Sequence, residues 1–208
     1  MTHTLHREGT RSSLSRDFVV LAMPRQGYTE GSRKKLHKFM DMSLKYDPIN
    51  LGNSKAGNIY KLPGGYEELR EKTQDAGICH VVLDSPEKLQ AFLTDLKEAD
   101  MGISIVVSGL FDVVGECCKG AGLHPHTINM SLGIFGKTEK LVPDEAREVT
   151  TMCGHGMVTG DLVVNLVDRI KKGRITPEDA SKELAALCVC GIFNTKRSAE
   201  LLRAMAES

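Results

Sequence analysis

The chain has no tryptophan, and aromatic residues make up only 5% of its 208 positions. Recognition of single-stranded nucleic acid by stacking bases on exposed rings therefore has little to work with. Neither sign of charge is in excess, since Lys+Arg and Asp+Glu each number 27. Nucleic acids and anionic membranes are bound through a basic excess or a basic stripe, so neither is expected as a partner. No apolar run approaches the roughly 18 residues that mark a membrane-spanning helix. Met1 to Arg16 is polar, carries His3, His6, Arg7, Arg11 and Arg16, and lacks the apolar centre of a secretory signal. A cytoplasmic location is expected. In that reducing compartment six cysteines do not form a disulfide framework, and they are read as small core residues, metal ligands or reactive thiols.

What remains is globular: 41% hydrophobic and 26% charged residues, enough for one substantial core. Residues 1–16 read as a disordered arm, 17–142 as an α/β domain, and 143–208 as a helical, cysteine-containing region that shares its core. The run Asp17-Phe18-Val19-Val20-Leu21-Ala22-Met23 suits a buried strand. Leu36, Phe39, Met40 and Leu44 recur at helical spacing over 31–46. The Gly- and Asn-rich stretch 47–65 reads as a long loop, and Asn50 to Asn58 within it as either a solvated connection or a lid over a pocket. A short helix is expected over 66–75.

The clearest unit follows. Ile78 to Leu83 is strand-like, Ser85 caps a helix with Pro86 at its first position, and Leu89, Phe92, Leu93 and Leu96 form one face. Ile103 to Val107 is then a second strand. Strand, helix and strand at this length predict a right-handed crossover between parallel strands. With a further helix over 110–120 and a further strand over 127–135, the expectation is α/β, an N-terminal three-to-four-stranded, largely parallel sheet with helices. Past Pro143 the pattern is helical. Leu162, Val163, Leu166, Val167 and Ile170 mark one helix, Thr176-Pro177 starts another, and a last helix runs from Asn194 to Ala206.

The chemistry lies in two cysteine groups, Thr151-Met152-Cys153-Gly154-His155-Gly156 and Cys188-Val189-Cys190-Gly191. Cys188 and Cys190 share a face if extended, and the glycines allow the backbone close to a bulky inorganic ligand. Each group precedes a helix, whose positive end favours thiolates. Lys196 and Arg197, in the first turn of the last helix, are ill-placed for its dipole unless an anion lies near. Three thiolates with one open position suit a [4Fe–4S] cluster held by Cys153, Cys188 and Cys190. With His155 as fourth ligand they suit zinc. The spacing matches neither common zinc pattern nor the ferredoxin run. Three thiols in apolar surroundings are also ordinary small core residues.

The expected function is that of an iron–sulfur enzyme performing non-redox lyase, dehydratase or sulfur-removal chemistry on a small molecule. His155 is the candidate fourth ligand or acid/base, and Arg197 and Lys137 the candidates for holding a substrate anion. The alternative is an electron-transfer or structural zinc module, with a redox protein or other subunit as partner in a homo- or hetero-oligomer. Other motifs are weaker. Of the adjacent Cys117 and Cys118, one reads as buried and the other as incidental, and Cys79 reads as core. His124-Pro125-His126 matters only if it reaches Cys153. Gly136-Lys137-Thr138 falls short of a phosphate loop, which requires glycine where Ser131 stands.

Overall fold

The apolar run after Asp17 becomes the central strand. In the computed structural model, which describes residues 7–208, β1 (Phe18–Met23) is buried on both faces. It pairs antiparallel with β4 (Cys79–Leu83) on one side and β5 (Ser104–Ser108) on the other. Beyond β4 lie β2 (Asn50–Asn53) and β3 (Gly57–Asn58), also antiparallel, giving the order β3-β2-β4-β1-β5.

This corrects the expected sheet: it has five strands among the described residues, and every neighbouring pair is antiparallel. The physical reason is local. Both β4 and β5 run opposite to β1, so they run the same way as each other, joined by α4 (Pro86–Ala99). The crossover has the anticipated direction, but β1 occupies the slot between its strands, making a split βαβ unit. A strand supplied from earlier in the chain leaves no mark on the sequence of the crossover. Two further expectations fail. The stretch 127–135 forms no strand and is exposed, and the supposed loop 47–65 contains the buried pair β2 and β3.

Strand alternation sends Phe18, Val20 and Ala22 to one face and Val19 and Leu21 to the other. The first face is covered by α2 (Ser32–Ser43), α3 (Gly65–Lys72), α4 and α5 (Phe111–Gly120), through Leu36, Phe39, Leu69, Phe92 and Cys117 among others. The second is covered by α6 (Asp144–Thr150), α7 (Gly160–Lys171), α8 (Pro177–Leu187) and α9 (Thr195–Glu207), through Val149, Val163, Leu184 and Leu202. Caps set the helix starts: Ser85, Thr159, Thr176 and Asn194 each accept from the amide of the third residue beyond, satisfying a donor with no partner inside the helix. A short α1 (Arg11–Leu14) precedes β1. Of the expected arm, residues 1–6 lie outside the described residues, and 7–16 lie against the second helical layer through Arg7, Glu8 and Arg16. Among the described residues no helix is long and apolar enough to cross a membrane.

Candidate metal centre

Cys153 and the pair Cys188 and Cys190 come from two turns on the second face of the sheet. Beyond α6 the chain tightens: the Cys153 amide donates to Thr150 O at 3.0 Å and the Gly156 amide to Cys153 O at 3.1 Å. Gly156 takes φ 69°, a left-handed value glycine adopts without strain. At the other turn Cys188 caps the C-terminal end of α8, and the Gly191 amide donates to Cys188 O at 3.0 Å. Gly191 has φ 76°.

The three thiols are neighbours. The Cys153 thiol interacts with Cys188, and Cys188 with Cys190. Cys190 Sγ lies 3.8 Å from His155 Nδ1. All three cysteines are at most 2% exposed, whereas His155 and its flanking glycines face solvent. The row therefore lies directly under an exposed Gly-His-Gly turn. Backbone amides lower the thiol pKa values, those of Met157 and His155 acting on Cys153 and that of Ile192 on both Cys188 and Cys190. Sequence reasoning assigned that role to helix starts. The amides belong instead to the turns, and Cys188 sits at a helix C-terminus.

These contacts order the protons. Donation to Cys188, then burial, raises the Cys153 thiol well above its ordinary range. Cys188 accepts from Cys153, which lowers its pKa, but donation to Cys190 and burial prevail and push it up to about 11. Cys190 is lowered, because the hydrogen bond from Cys188 outweighs burial. Without a metal, Cys190 is the sulfur most ready to be a thiolate.

The Asn- and Gly-rich stretch is the floor of this site. Asn58 Nδ2 donates to Ala185 O at 3.1 Å and Cys188 O at 2.7 Å, and Asn50 Nδ2 donates to Phe193 O at 2.9 Å. Gly52 lies against the Cys190–Gly191 backbone so closely that a Cβ there would stand 2.2 Å from Cys190 O. Beside Gly52 across the ladder is His80, 1% exposed and on the same face as Leu21 and Val82. Sequence reasoning missed Asn50, Gly52, Asn58 and His80. The last was detectable, since alternation along Cys79-His80-Val81-Val82 puts His80 with Val82 and Cys79 on the opposite face.

A second missed feature closes the site from the N-terminal side. The buried Arg7 guanidinium donates to Asp17, to Ile192 O and, at 3.4 Å, to Met152 O. It thereby bridges carbonyls from both cysteine turns. Asp17, fully buried, also accepts from Arg197 Nη1 and Asn194 Nδ2, each at 3.1 Å. Arg197 is therefore committed to a carboxylate of the chain itself, and burial lowers its pKa. Lys196 likewise meets Asp84 at 2.7 Å. The anions that these first-turn cations called for are Asp17 and Asp84.

Lys137 lies exposed in the irregular stretch before α6 and makes none of the contacts that gather the cysteines. His124 and His126 are exposed, and His126 Nδ1 meets the neighbouring Thr127 Oγ1 at 2.9 Å. Cys117 and Cys118 are both buried in the opposite core, where only one of them was expected to be. Cys79 lies there too, accepts from Asn53 Nδ2 at 3.4 Å, and is pushed up to about 12 by burial. As they stand, no three or more His, Cys, Asp or Glu among the described residues are arranged to hold a single metal ion. Comparison with models of protein families, with curated proteins and with solved structures found no match.

Proposed function

We propose that the chain binds an iron–sulfur centre of the [4Fe–4S] type through Cys153, Cys188 and Cys190, and uses it in non-redox chemistry on a small molecule in the cytoplasm. One observation carries the reading: three buried thiols from two distant segments are near enough to shift one another's ionisation, with the amides of two tight turns close by. An ordinary core needs none of those donors. Amides directed at sulfur favour thiolate over thiol and offset the negative charge of a thiolate-ligated cluster. The site must open to admit a cluster, and the exposed Gly154-His155-Gly156 turn is where the chain can yield.

Three protein ligands leave one iron open, and a bound cluster would supply a Lewis acid there. His155, exposed and beside Cys190, is placed as fourth ligand or as proton donor and acceptor to a molecule arriving from solvent. Lys137 remains a candidate for steering an anionic substrate. Arg197 acts as a positioning residue through Asp17.

A second reading, zinc, draws on the sulfur contacts. Two thiolates on one tetrahedral zinc, each about 2.3 Å from the ion, stand about 3.8 Å apart, a separation that neighbouring thiols can take up. Elemental analysis of anaerobically purified protein separates the two. Roughly four irons per chain with matching sulfide, lost on replacing any one of the three cysteines by serine, fits the cluster. One zinc per chain fits the second reading. Unchanged iron in all three serine variants, or no metal at all, refutes the proposal. Reversible one-electron reduction without response to small molecules would instead make the centre an electron-transfer module with a redox protein as partner.

A further inference from the structure

The charge balance that makes a nucleic-acid partner unexpected is a total, 27 against 27, and one helix departs from it. The outward side of α2 carries Arg33, Lys34, Lys35 and Lys38, all exposed, against one acid, Asp41. Arg33, Lys34 and Lys35 stand in the first turn, where the helix dipole is positive and the helix has no acidic side chain to offset them. Lys34 and Lys38 are one turn apart on the same side, and like charges at that spacing repel.

The fold does not neutralise these cations. Asp41 is taken by Arg70, at 2.9 and 3.1 Å, and by Tyr66. Asp75, at the start of the helix, accepts from the amides of Gly31 at 3.0 Å and Arg33 at 2.6 Å. The Arg33 guanidinium donates to Glu71 O at 3.1 Å and Lys35 Nζ to Gly102 O at 3.5 Å, both uncharged carbonyls. Among the described residues none of the four forms an ion pair. The first-turn cations of α9 have Asp17 and Asp84; those of α2 have no such anion within the fold. The turn entering α2 adds an aromatic ring. Tyr28 is 70% exposed, and the Arg25 guanidinium carbon lies 4.9 Å from its ring centre. An exposed ring with an arginine beside a basic helix is a platform for an unpaired base. No exposed residue of α2 is apolar, so the helix has nothing to enter a lipid surface.

We propose that α2 and the turn before it bind single-stranded nucleic acid, with Arg33, Lys34, Lys35 and Lys38 on its phosphates and Tyr28 against a base. The phosphates supply the anions that the first turn of α2 lacks. This helix covers the face of the sheet opposite the cysteine turns, so the inference does not depend on the metal reading.

The probe is a fluorescein-labelled, mixed-sequence DNA strand of about 12 nucleotides, within the span of one single-strand site. Titration with the full chain, read by anisotropy, should give a Kd below about 100 μM at about 50 mM salt. Phosphate contacts from the four cations predict a slope of log K on log salt of about −3, at roughly −0.7 per contact. Lys34→Glu combined with Lys38→Glu should weaken binding about tenfold or more and flatten the slope to about half. The pair removes a repulsion and puts an acid in the first turn, so its urea midpoint should equal or exceed the parent's, which separates lost binding from unfolding. Tyr28→Ala should weaken binding about fivefold or more with the slope unchanged. Lys140→Glu combined with Lys171→Glu, the same change of charge at exposed positions elsewhere, should leave binding as it is. Absence of binding at low salt overturns the proposal. So does binding that survives the α2 pair, or that falls as far with the Lys140 and Lys171 pair. Displacement of the probe as readily by polyglutamate or by vesicles of anionic phospholipid also overturns it, and would assign the face to an acidic protein segment or to a membrane.

Discussion

Replacing Gly52 by alanine separates a structural role from an ordinary strand glycine. In the middle of a strand, alanine for glycine normally gains about 0.5–1 kcal/mol, because glycine loses more freedom on folding. Gly52 does not require a left-handed φ, so backbone strain is no obstacle. The obstacle is the cysteine turn. The new Cβ would stand 2.2 Å from Cys190 O, 2.6 Å from Cys190 C and 2.7 Å from Gly191 Cα, all backbone atoms that no rotamer change can move aside. The turn must retreat by roughly 1 Å, at the cost of about 1–3 kcal/mol typical of overpacking. Retreat also stretches the bonds from Asn58 to Ala185 O and Cys188 O. G52A should therefore be destabilised by about 1–3 kcal/mol where a generic rule expects a gain and, on the proposed metal reading, should hold metal less tightly. G115A is the control: Gly115 lies in α5 with nothing within 4 Å of an added Cβ, so it should gain up to about 1 kcal/mol. Urea unfolding of the reduced, metal-free proteins measures both, and alkylation of the native proteins reports exposure of the three thiols. If G52A matches or exceeds the parent in stability and its thiols stay as protected, the sheet is not what seats the cysteine turn.

The Arg7 bridge and the buried Cys79 thiol each yield a further test. Arg7→Met leaves Asp17 with one guanidinium fewer and strips donors from Met152 O and Ile192 O, so urea unfolding should show a loss of about 3–5 kcal/mol, as when one partner of a buried ion pair is removed; a loss below about 1 kcal/mol would make Arg7 peripheral. Burial holds the Cys79 pKa at about 12 against an ordinary 9, so the neutral thiol's contribution is complete below pH 9 and is lost as pH rises toward 12, by about 1.4 kcal/mol per pH unit. Cys79→Ala should shed that increment of alkaline sensitivity, and equal pH slopes in the two proteins between about 9 and 11 would contradict the assignment.

Helices and their starts were legible because capping is local: Ser85 with Pro86, Thr176 with Pro177 and Asn194 each act within four residues. Sheet order was not, because β1 enters between β4 and β5 from elsewhere in the chain. The strands β2 and β3 were read as loop because Asn and Gly are poor strand formers by propensity. They stand as strands because the Asn side chains reach out of the sheet to carbonyls of 185–193 and Gly52 admits the Cys190 backbone. The stretch 127–135 shows the converse: its alternation is that of a strand, but alternation names a face to bury and supplies no partner. Of the candidate site, Cys153, Cys188, Cys190 and His155 were legible as a group, since cysteine, histidine and glycine in short clusters stand out. What holds them together was not, because it comes from asparagine, glycine and arginine far away in sequence.

The ion cluster around Asp17 bears on why the site depends on the whole chain. Two arginines and a carboxylate buried together lose several kcal/mol of hydration per ion, and apolar residues of like shape commonly serve stability as well or better. Stability alone is thus a poor reason for Arg7, Asp17 and Arg197 to lie where they do. An apolar replacement could fill the space, but it could not donate to Met152 O and Ile192 O at once. Those carbonyls flank Cys153 and the Cys190 turn, so the guanidinium sets the spacing between the two cysteine segments, and Asp17 sets the guanidinium. Asn194 ties the same carboxylate to the cap of α9, one residue beyond Phe193, whose carbonyl Asn50 holds. The start of β1, the β2–β3 pair and the N-terminal segment thus converge on the backbone of residues 185–194. Separation of the sulfurs is then a property of the assembled fold rather than of either cysteine motif. The Arg7→Met and G52A substitutions, which touch no sulfur, should for that reason alter the alkylation rates of the three thiols and, on the proposed metal reading, metal retention.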